Sequence, residues 1–256
     1  MERMKIKNYR ITVAYDGSRY QGWQRLASGV SIQGKIEDVL SQMVGHKVEI
    51  HGAGRTDAGV HARAQVAHFK IQTDHTPDEI RAYLNRYLPE DIAVTACAEV
   101  PERFHARLNA TGKRYVYRIW NSDTPNVFER KYLCRMPDRL DVPAMQRAAA
   151  YLTGTHDFKA FCGNRKMKKS TVRTLHTLQV ERLGEEVRLT VTGTGFLQNM
   201  VRILAGTLVE VGQGKRQPEQ MPALLDSLDR SQAGITMPPQ GLILDEVFYQ
   251  TAKESR

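Results

Sequence analysis

Cysteine, long apolar runs and metal-ligand motifs are all scarce in this 256-residue chain. Its three cysteines form no CxxC pair, which argues against a disulfide framework and against a cysteine-based zinc site. The eight histidines include no HExxH, so a metal centre is not expected. No uninterrupted apolar stretch approaches the roughly 18 residues of a membrane helix, and no secretory signal precedes the first polar segment. We therefore expect a cytoplasmic protein with no membrane attachment and no metal.

Positive charge is abundant and unevenly distributed. Lysine and arginine number 37 against 28 acidic residues, a net charge of +9. Residues 1–105 carry 14 basic and 13 acidic side chains, whereas residues 106–256 carry 23 and 15, so nearly all the excess lies in the second half. The peak is NRKMKKSTVR at 164–173, where Lys166, Lys168 and Lys169 are candidate contacts to an RNA backbone. The alternative interpretation is a solvated surface loop.

Alternation and helical spacing along residues 9–99 predict the order β-α-β-β-α-β, a ferredoxin-like unit. Ser31 is a candidate N-cap of the first helix, and Pro77 stands in the first turn of the second. A similar order recurs after residue 106, which predicts a mixed α/β (α+β) fold of two halves, 1–105 and 106–256, able to share one sheet. The predicted strands are 9–15, 48–51, 65–70, 92–99, 114–120, 173–182, 186–192 and 242–249, and the predicted helices are 32–43, 77–88, 141–152, 197–211 and 222–228.

The segment most suggestive of chemistry is Gly52–Ala64, GAGRTDAGVHARA. Small residues let a backbone turn sharply and let a ligand approach, and here they surround Arg55, Thr56, Asp57 and His61. A nearby arginine favours the ionised form of a carboxylate. The alternative is a glycine-rich connection in which the Arg–Asp pair only stabilises a turn. The glycines fit neither a P-loop nor a dinucleotide-binding GxGxxG pattern.

Six segments occur in a recognisable order along the chain, and the most specific is GRTDAGVHA at 54–62. The others are YDGSRYQGWQ at 15–24, FHAR at 104–107, KRYVYR at 113–118, TVRT at 171–174 and FLQNMVRILAGTL at 196–208. Together they resemble the TruA-type tRNA pseudouridine synthases over roughly residues 8–250. The resemblance implies two α/β halves on a central, mainly antiparallel sheet with a catalytic cleft between them. It also implies a homodimer in which both subunits contact one tRNA.

The resemblance further implies conversion of uridine to pseudouridine in the anticodon arm, at tRNA positions 38–40, without a cofactor. Asp57 falls on the family's catalytic nucleophile and Arg202 on the ion-pair partner of that carboxylate. Tyr115 falls on the aromatic residue that contacts the substrate, and Arg55 on the arginine that helps to hold the flipped nucleotide. The residues alone do not choose between Tyr115 and Tyr117, which alternate on the same strand.

Two of these positions also draw attention by their surroundings. Arg202 lies on a helix whose other side chains, such as Ile203 and Leu204, are expected to be buried. A buried arginine needs a partner, which independently favours an ion pair. Trp23, in the GWQ turn, could pack in the core or contact RNA, and we interpret it as a core residue.

The chemistry of the isomerisation accounts for these residue types. The bond from the ribose to N1 of uracil breaks, the base rotates, and a bond to C5 forms, with no net oxidation or hydrolysis. A carboxylate can divide this step through a covalent intermediate, formed on either the base or the ribose, and the nucleotide must leave its stack to reach it. The alternative is a non-catalytic RNA-binding module of paired ferredoxin-like units, although no RNP1 pattern is present. A glycoside hydrolase would need a second carboxylate, which no motif supplies.

Overall fold

The computed structural model describes residues 5–250, which form two compact units. The first contains the described residues up to Thr111 together with those from Leu244 onward, and the second is Gly112–Ile243. The division into functional halves at 105/106 stays a prediction, and its ends, 1–4 and 251–256, lie outside the described residues. By its contacts, most of the last strand joins the first unit rather than the second.

The first unit has the predicted ferredoxin-like order of elements. Its strand order is β4-β1-β3-β10, with β2 also paired to β3, and β1 is antiparallel to both β3 and β4. Strand β3 begins four residues earlier than predicted, because His61–Ala64 extend the ladder alongside the end of β1. The elements are β1 (Lys7–Tyr15), α1 (Ile32–Val44), β2 (His51–Gly52), β3 (His61–Ile71), α2 (Pro77–Tyr87) and β4 (Ile92–Val100).

The helices of the first unit begin where the sequence predicts. The Ser31 hydroxyl accepts a hydrogen bond from the Gly34 N–H at 3.2 Å, so it caps α1. Helix α1 ends at Gly45, whose φ of 73° is the left-handed conformation that glycine adopts readily. Thr76 and Glu79 form a reciprocal capping box at the start of α2. The buried faces of both helices pack within this unit and include Ile32, Ile36, Leu40, Ile80 and Leu84.

The second unit repeats the mixed α/β pattern around an antiparallel set of strands. The strand order is β5-β9-β8-β7, and the short β6 pairs in parallel with β5. Strands β6 and β7 are not anticipated by the sequence, since each has only a few residues. The elements are β5 (Ala110–Trp120), β6 (Cys134–Arg135), α3 (Val142–Leu152), β7 (Gly154–Asp157), β8 (Val172–Leu183), β9 (Glu186–Gly193), α4 (Met200–Gly212) and α5 (Met221–Ser227). The chain then enters β10 (Leu242–Tyr249), most of which belongs to the first unit.

Helix α4 begins at Met200, three residues later than predicted. The cause is Asn199, which has a φ of 59° and therefore ends the preceding turn in the left-handed region that asparagine tolerates better than most residues. The helix is buried on almost every side, and Arg202 is one of its few half-buried positions. No helix within residues 5–250 is long and apolar enough to cross a membrane.

Candidate functional site

Residues 53–60, between β2 and β3, carry Asp57 and are called the Asp57 loop here. The turn that follows β1 holds one side of this loop by backbone hydrogen bonds. The Trp23 N–H donates to the Thr56 carbonyl at 3.1 Å, and the Gly59 N–H donates to the Tyr20 carbonyl at 3.3 Å. The residue before Asp57 and a residue shortly after it are therefore both fixed to the same turn.

Strand β3 holds the opposite side of the Asp57 loop. The Gln65 side-chain amide, which is fully buried, donates to the Gly54 carbonyl at 3.0 Å. The Ala53 N–H donates to the Val66 carbonyl at 2.7 Å. Because both sides are bound, the loop is part of the scaffold rather than a free connection, and the position of the Asp57 backbone is set by the fold.

Gly22 packs closely against the backbone on either side of the Thr56–Asp57 peptide bond. This glycine has a φ of 95°, and a Cβ added to it would lie 2.6 Å from the Thr56 carbonyl oxygen and 3.1 Å from the carbonyl carbon of Asp57. Only glycine satisfies both the conformation and the close approach. The glycine of the GWQ turn therefore has a direct structural connection to the backbone of Asp57.

The residue before Asp57 belongs to a buried pair of hydroxyl groups. The Tyr15 and Thr56 hydroxyl oxygens are 2.8 Å apart, and Tyr15 ends β1 with its side chain in the core. Burial raises the pKa of Tyr15 above its usual value, so the phenol stays neutral and can share a proton with Thr56. This contact joins the end of β1 to the residue immediately before Asp57.

The two motif residues expected to act on substrate differ in exposure. Asp57 is half-buried, and its backbone carbonyl accepts a hydrogen bond from the Val60 N–H at 3.2 Å. Arg55 is exposed, and its Nε donates to the Gln24 side-chain carbonyl at 2.9 Å. Trp23 is only 2% exposed and packs against Gly52, which confirms its interpretation as a core residue.

We expect Gly22→Ala to slow catalysis, because the new methyl group would displace the Thr56 carbonyl and with it Asp57. Gly45→Ala is the matched control: Gly45 also has a positive φ, of 73°, but nothing lies within 4 Å of an added Cβ. Both variants should lose roughly 1 kcal/mol from backbone strain. Thermal unfolding and single-turnover rates separate the effects. Equal rates in the two variants would show that contact with Gly22 does not position Asp57.

The histidines of the first unit have structural roles. The rings of His68 and His105 lie 4.5 Å apart between centroids, and His51 stacks beside both. Burial, with the neighbouring imidazoles, lowers the pKa of His68 to about 4, and its Nδ1 accepts a hydrogen bond from the Ala106 N–H. His61 likewise accepts from the Gly17 N–H. Across residues 5–250 no group of three or more His, Cys, Asp or Glu side chains could hold a metal ion.

In the second unit, the structure distinguishes the two tyrosines of KRYVYR. Tyr117 is fully buried, and its hydroxyl donates to the Pro238 carbonyl at 2.8 Å. Burial raises the pKa of Tyr117, so this side chain is a neutral core residue. Tyr115 is 7% exposed and meets Phe196 edge-to-face, with ring centroids 5.1 Å apart. Of the two, Tyr115 has its ring beside the segment that leads into α4.

Arg202 occupies the first turn of α4 and is bound on one side to the segment before β10. Its Nε donates to the Met237 carbonyl at 2.6 Å, and the Met237 N–H donates back to the Arg202 carbonyl at 3.2 Å. This reciprocal pair fixes the guanidinium at Nε and sets the direction of its plane.

The basic residues Lys166, Lys168 and Lys169 lie on an exposed loop, residues 164–170. The base of this loop is fixed to the turn before α4, since the Gly163 N–H donates to the Gln198 carbonyl at 2.8 Å. Gly163 also packs directly against the side chain of Asn199, which leaves no space for a Cβ. The loop is thus anchored one to two residues before the start of the helix that carries Arg202.

The turn at residues 194–199 joins three of the predicted features of the second unit. Phe196 contacts Tyr115, Gln198 binds the base of the lysine loop, and α4 with Arg202 follows directly. The sequence did not single out Phe196 or Asn199, nor Tyr15 and Gly22 in the first unit. The sequence did contain a signal for all four residues, because Tyr15 and Gly22 lie in the motif segment 15–24, and Phe196 and Asn199 lie in the motif segment 196–208.

Comparison with known proteins gives a consistent result. A family model described as tRNA pseudouridine synthase matches residues 11–109 and 148–250. A tRNA pseudouridine synthase A of Bacillus sp. (strain KSM-64) is 48% identical over 245 residues, which cover 95% of this chain and all of that protein. A tRNA pseudouridine synthase A 2 of Clostridium perfringens (strain 13 / Type A) is 43% identical over 244 residues, with the same coverage. A solved Cbf5-Nop10-Gar1 complex contains a chain that is 12% identical with a TM-score of 0.38; the match covers 94% of this chain and 50% of that one.

Proposed function

The chain belongs to the tRNA pseudouridine synthase family, and on that premise we propose that it converts uridine to pseudouridine in the anticodon arm of tRNA, at positions 38–40. The observation that carries the proposal is the Asp57 loop, where a half-buried carboxylate stands on a backbone held from both sides. An RNA-binding surface alone would not need a carboxylate on a backbone held in this way, whereas a covalent reaction step does need one.

We propose that Asp57 is the nucleophile. Attack by its carboxylate, on the base or on the ribose, allows the bond between C1′ and N1 to break while the uracil stays in the site. After the base rotates, C5 bonds to C1′ and the bond to Asp57 breaks, which regenerates the carboxylate. The proton on C5 is lost and N1 gains a proton, so the product has the atoms of the substrate. Holding the backbone still reduces the entropy lost in reaching this geometry.

The flipped nucleotide needs a surface to replace its stacking partners. Tyr115 is proposed to supply that face, because its ring is oriented by the edge-to-face contact with Phe196 and its neighbour Tyr117 is committed to the core. Stacking of a base on an aromatic ring contributes roughly 1–3 kcal/mol. Arg55, which is exposed on the Asp57 loop, is proposed to hold the phosphate or sugar of the same nucleotide.

Arg202 is proposed to pair with Asp57 and to favour the ionised form of the carboxylate. Support comes from its position in the first turn of α4 and from the Met237 carbonyl, which fixes Nε. A planar guanidinium oriented in this way can bind a carboxylate through two parallel hydrogen bonds.

The lysine loop at 164–170 is proposed to bind the tRNA backbone. We expect Lys166→Gln, Lys168→Gln and Lys169→Gln together to weaken tRNA binding about tenfold or more and to flatten its salt dependence, since each lost phosphate contact removes about 0.7–0.9 from the slope. The matched control neutralises three exposed lysines of the first unit, Lys5, Lys47 and Lys70.

Fluorescence anisotropy with an unmodified tRNA transcript at several salt concentrations measures both variants. An equal loss of affinity in the two would mean that net charge, rather than this loop, governs binding. A wild-type affinity and slope in the loop variant would show that the loop is only a solvated surface.

The partner of the enzyme is tRNA, as the family requires. We also propose that the protein acts in the cytoplasm as a homodimer, that both subunits contact one tRNA, and that no cofactor is needed. The deciding experiment is incubation of the purified protein with an unmodified tRNA transcript and no added cofactor. Pseudouridine at positions 38–40, detected by mass spectrometry, is the expected product. Stable binding without any pseudouridine would instead favour the non-catalytic RNA-binding module.

A further inference from the structure

A loop between β5 and β6, residues 121–133, displays two successive apolar side chains to solvent. Phe128 is 95% exposed and Val127 is 60% exposed. Single apolar side chains are common on protein surfaces. A nearly fully exposed aromatic ring beside a second apolar residue at the tip of one loop is less ordinary, and it suggests that the tip is covered during function.

This loop is attached to the sheet at the residue next to Phe128. Glu129 pairs with Arg118 at 3.2 Å, and Arg118, which is buried on β5, is bound on its other side by Glu186 of β9 at 2.7 Å. Arg188 completes the cluster with a 2.9 Å bond to Glu186. Arg118 and Glu186 are buried and paired, and the half-exposed Glu129 joins the loop to them, so the ion pairs attach the loop to the sheet of the second unit.

Local hydrogen bonds shape the tip itself. The Asn126 side chain accepts from the Glu129 N–H at 3.0 Å, and the Tyr132 N–H donates to the Glu129 carbonyl at 2.7 Å. The Trp120 indole N–H donates to the Thr124 carbonyl at 2.7 Å. A ring carried on such a braced loop loses little conformational entropy when a partner covers it, which is the property of a preformed contact.

The charges around the tip indicate the chemistry of the partner. Arg130 and Lys131 follow directly and are exposed, whereas the nearby carboxylate of Glu129 is engaged by Arg118. An aromatic ring next to two cations matches an unstacked base and its flanking phosphates. A second copy of this chain is the less suitable occupant, because the like charges of Arg130 and Lys131 would face each other across a symmetric contact.

We propose that Phe128 stacks on an unpaired base of the tRNA substrate, outside the Asp57 loop, while Arg130 and Lys131 contact the adjoining phosphates. The inference rests on the proposed tRNA substrate, and it adds a contact that none of the sequence motifs contains. It also assigns a purpose to the Arg118–Glu129 pair, which is to present the ring in a fixed direction.

The test measures binding of a fluorescently labelled, unmodified tRNA transcript by anisotropy over a range of salt concentrations. We expect Phe128→Ser to bind about tenfold more weakly with the salt slope of the wild type, because stacking releases no counterions. Phe128→Trp should restore the affinity. The paired changes Arg130→Gln and Lys131→Gln should instead flatten the slope by roughly 1–2.

Tyr87→Ser is the matched control, since Tyr87 is an exposed aromatic residue on α2 of the first unit, and it should bind as the wild type does. Circular dichroism shows that each variant is folded. Wild-type affinity in Phe128→Ser, or an equal loss in Tyr87→Ser, would overturn the proposal. A lower molecular mass of Phe128→Ser in analytical ultracentrifugation would also overturn it, because the ring would then lie between protein copies. Since the readout is binding, the proposal can fail while pseudouridine formation by the wild type stands.

Discussion

Asp57→Asn is expected to abolish pseudouridine formation, with a loss of at least about three orders of magnitude in single-turnover rate. An amide nearly matches the carboxylate in shape, but it cannot serve as the same nucleophile. The fold should survive, because the Asp57 loop is held through Thr56, Gly59, Gln65 and Val66 rather than through the Asp57 side chain alone. Much of the tRNA affinity should therefore remain.

Asp78→Asn is the matched control, since Asp78 is an exposed carboxylate at the start of α2. It should retain the wild-type rate. Product is quantified by mass spectrometry of digested tRNA, and affinity by anisotropy with the same transcript. Appreciable pseudouridine from a folded Asp57→Asn protein, free of wild-type enzyme, would contradict the assignment of the nucleophile. Loss of binding in proportion to the loss of rate would show that Asp57 acts mainly in recognition.

Arg202→Met is expected to reduce the single-turnover rate at neutral pH about 100-fold, far more than it weakens tRNA binding. Without the guanidinium, the Asp57 carboxylate would lose the partner that is proposed to orient it and to stabilise its charge. Arg202→Lys should retain more activity than Arg202→Met, since lysine restores the charge although not the planar fork. Both lose the bond from Nε to the Met237 carbonyl, so this contact cannot account for a difference between them.

Arg230→Met controls for the loss of an arginine that binds backbone. Arg230 is half-buried and donates to the Ala233 carbonyl and the Thr236 hydroxyl. Arg230→Met should lower the unfolding temperature without a matching loss of the single-turnover rate. If Arg202→Met reacts at the wild-type rate, or if lysine is no better than methionine, the proposed pairing with Asp57 does not support catalysis.

The predicted elements were most accurate where local chemistry decides the backbone. Ser31 caps α1, and Pro77 follows the capping residue of α2, since both signals act within a few residues of the chain. The start of α4 was wrong by three residues, because Leu197 is apolar and fits a helical pattern equally well. The left-handed conformation of Asn199 and the packing of its side chain against Gly163, which is distant in the sequence, appear only in the folded chain.

The candidate site shows the same division between features set by local sequence and contacts made only by folding. The string GRTDAGVHA was sufficient to single out Asp57 and Arg55, since glycine and alanine around charged residues already suggest a ligand-binding turn. The contacts that hold the loop could not be predicted from this string. Tyr15, Gly22 and Gln65 come from separate strands and turns, and only folding places them beside residues 53–60.

By itself, the sequence determined the mixed α/β class, the basic second half and the family, because composition, periodicity and short motifs are local properties of the chain. Only the tertiary structure decided that Tyr117 belongs to the core while Tyr115 faces Phe196, and that the lysine loop is tied to the turn before α4. It also decided that Phe128 is held out to solvent by the Arg118 cluster. The physical reason is that a hydrogen bond, an ion pair or a close glycine contact depends on which distant residues become neighbours, and that is set when the strands pair and the helices pack.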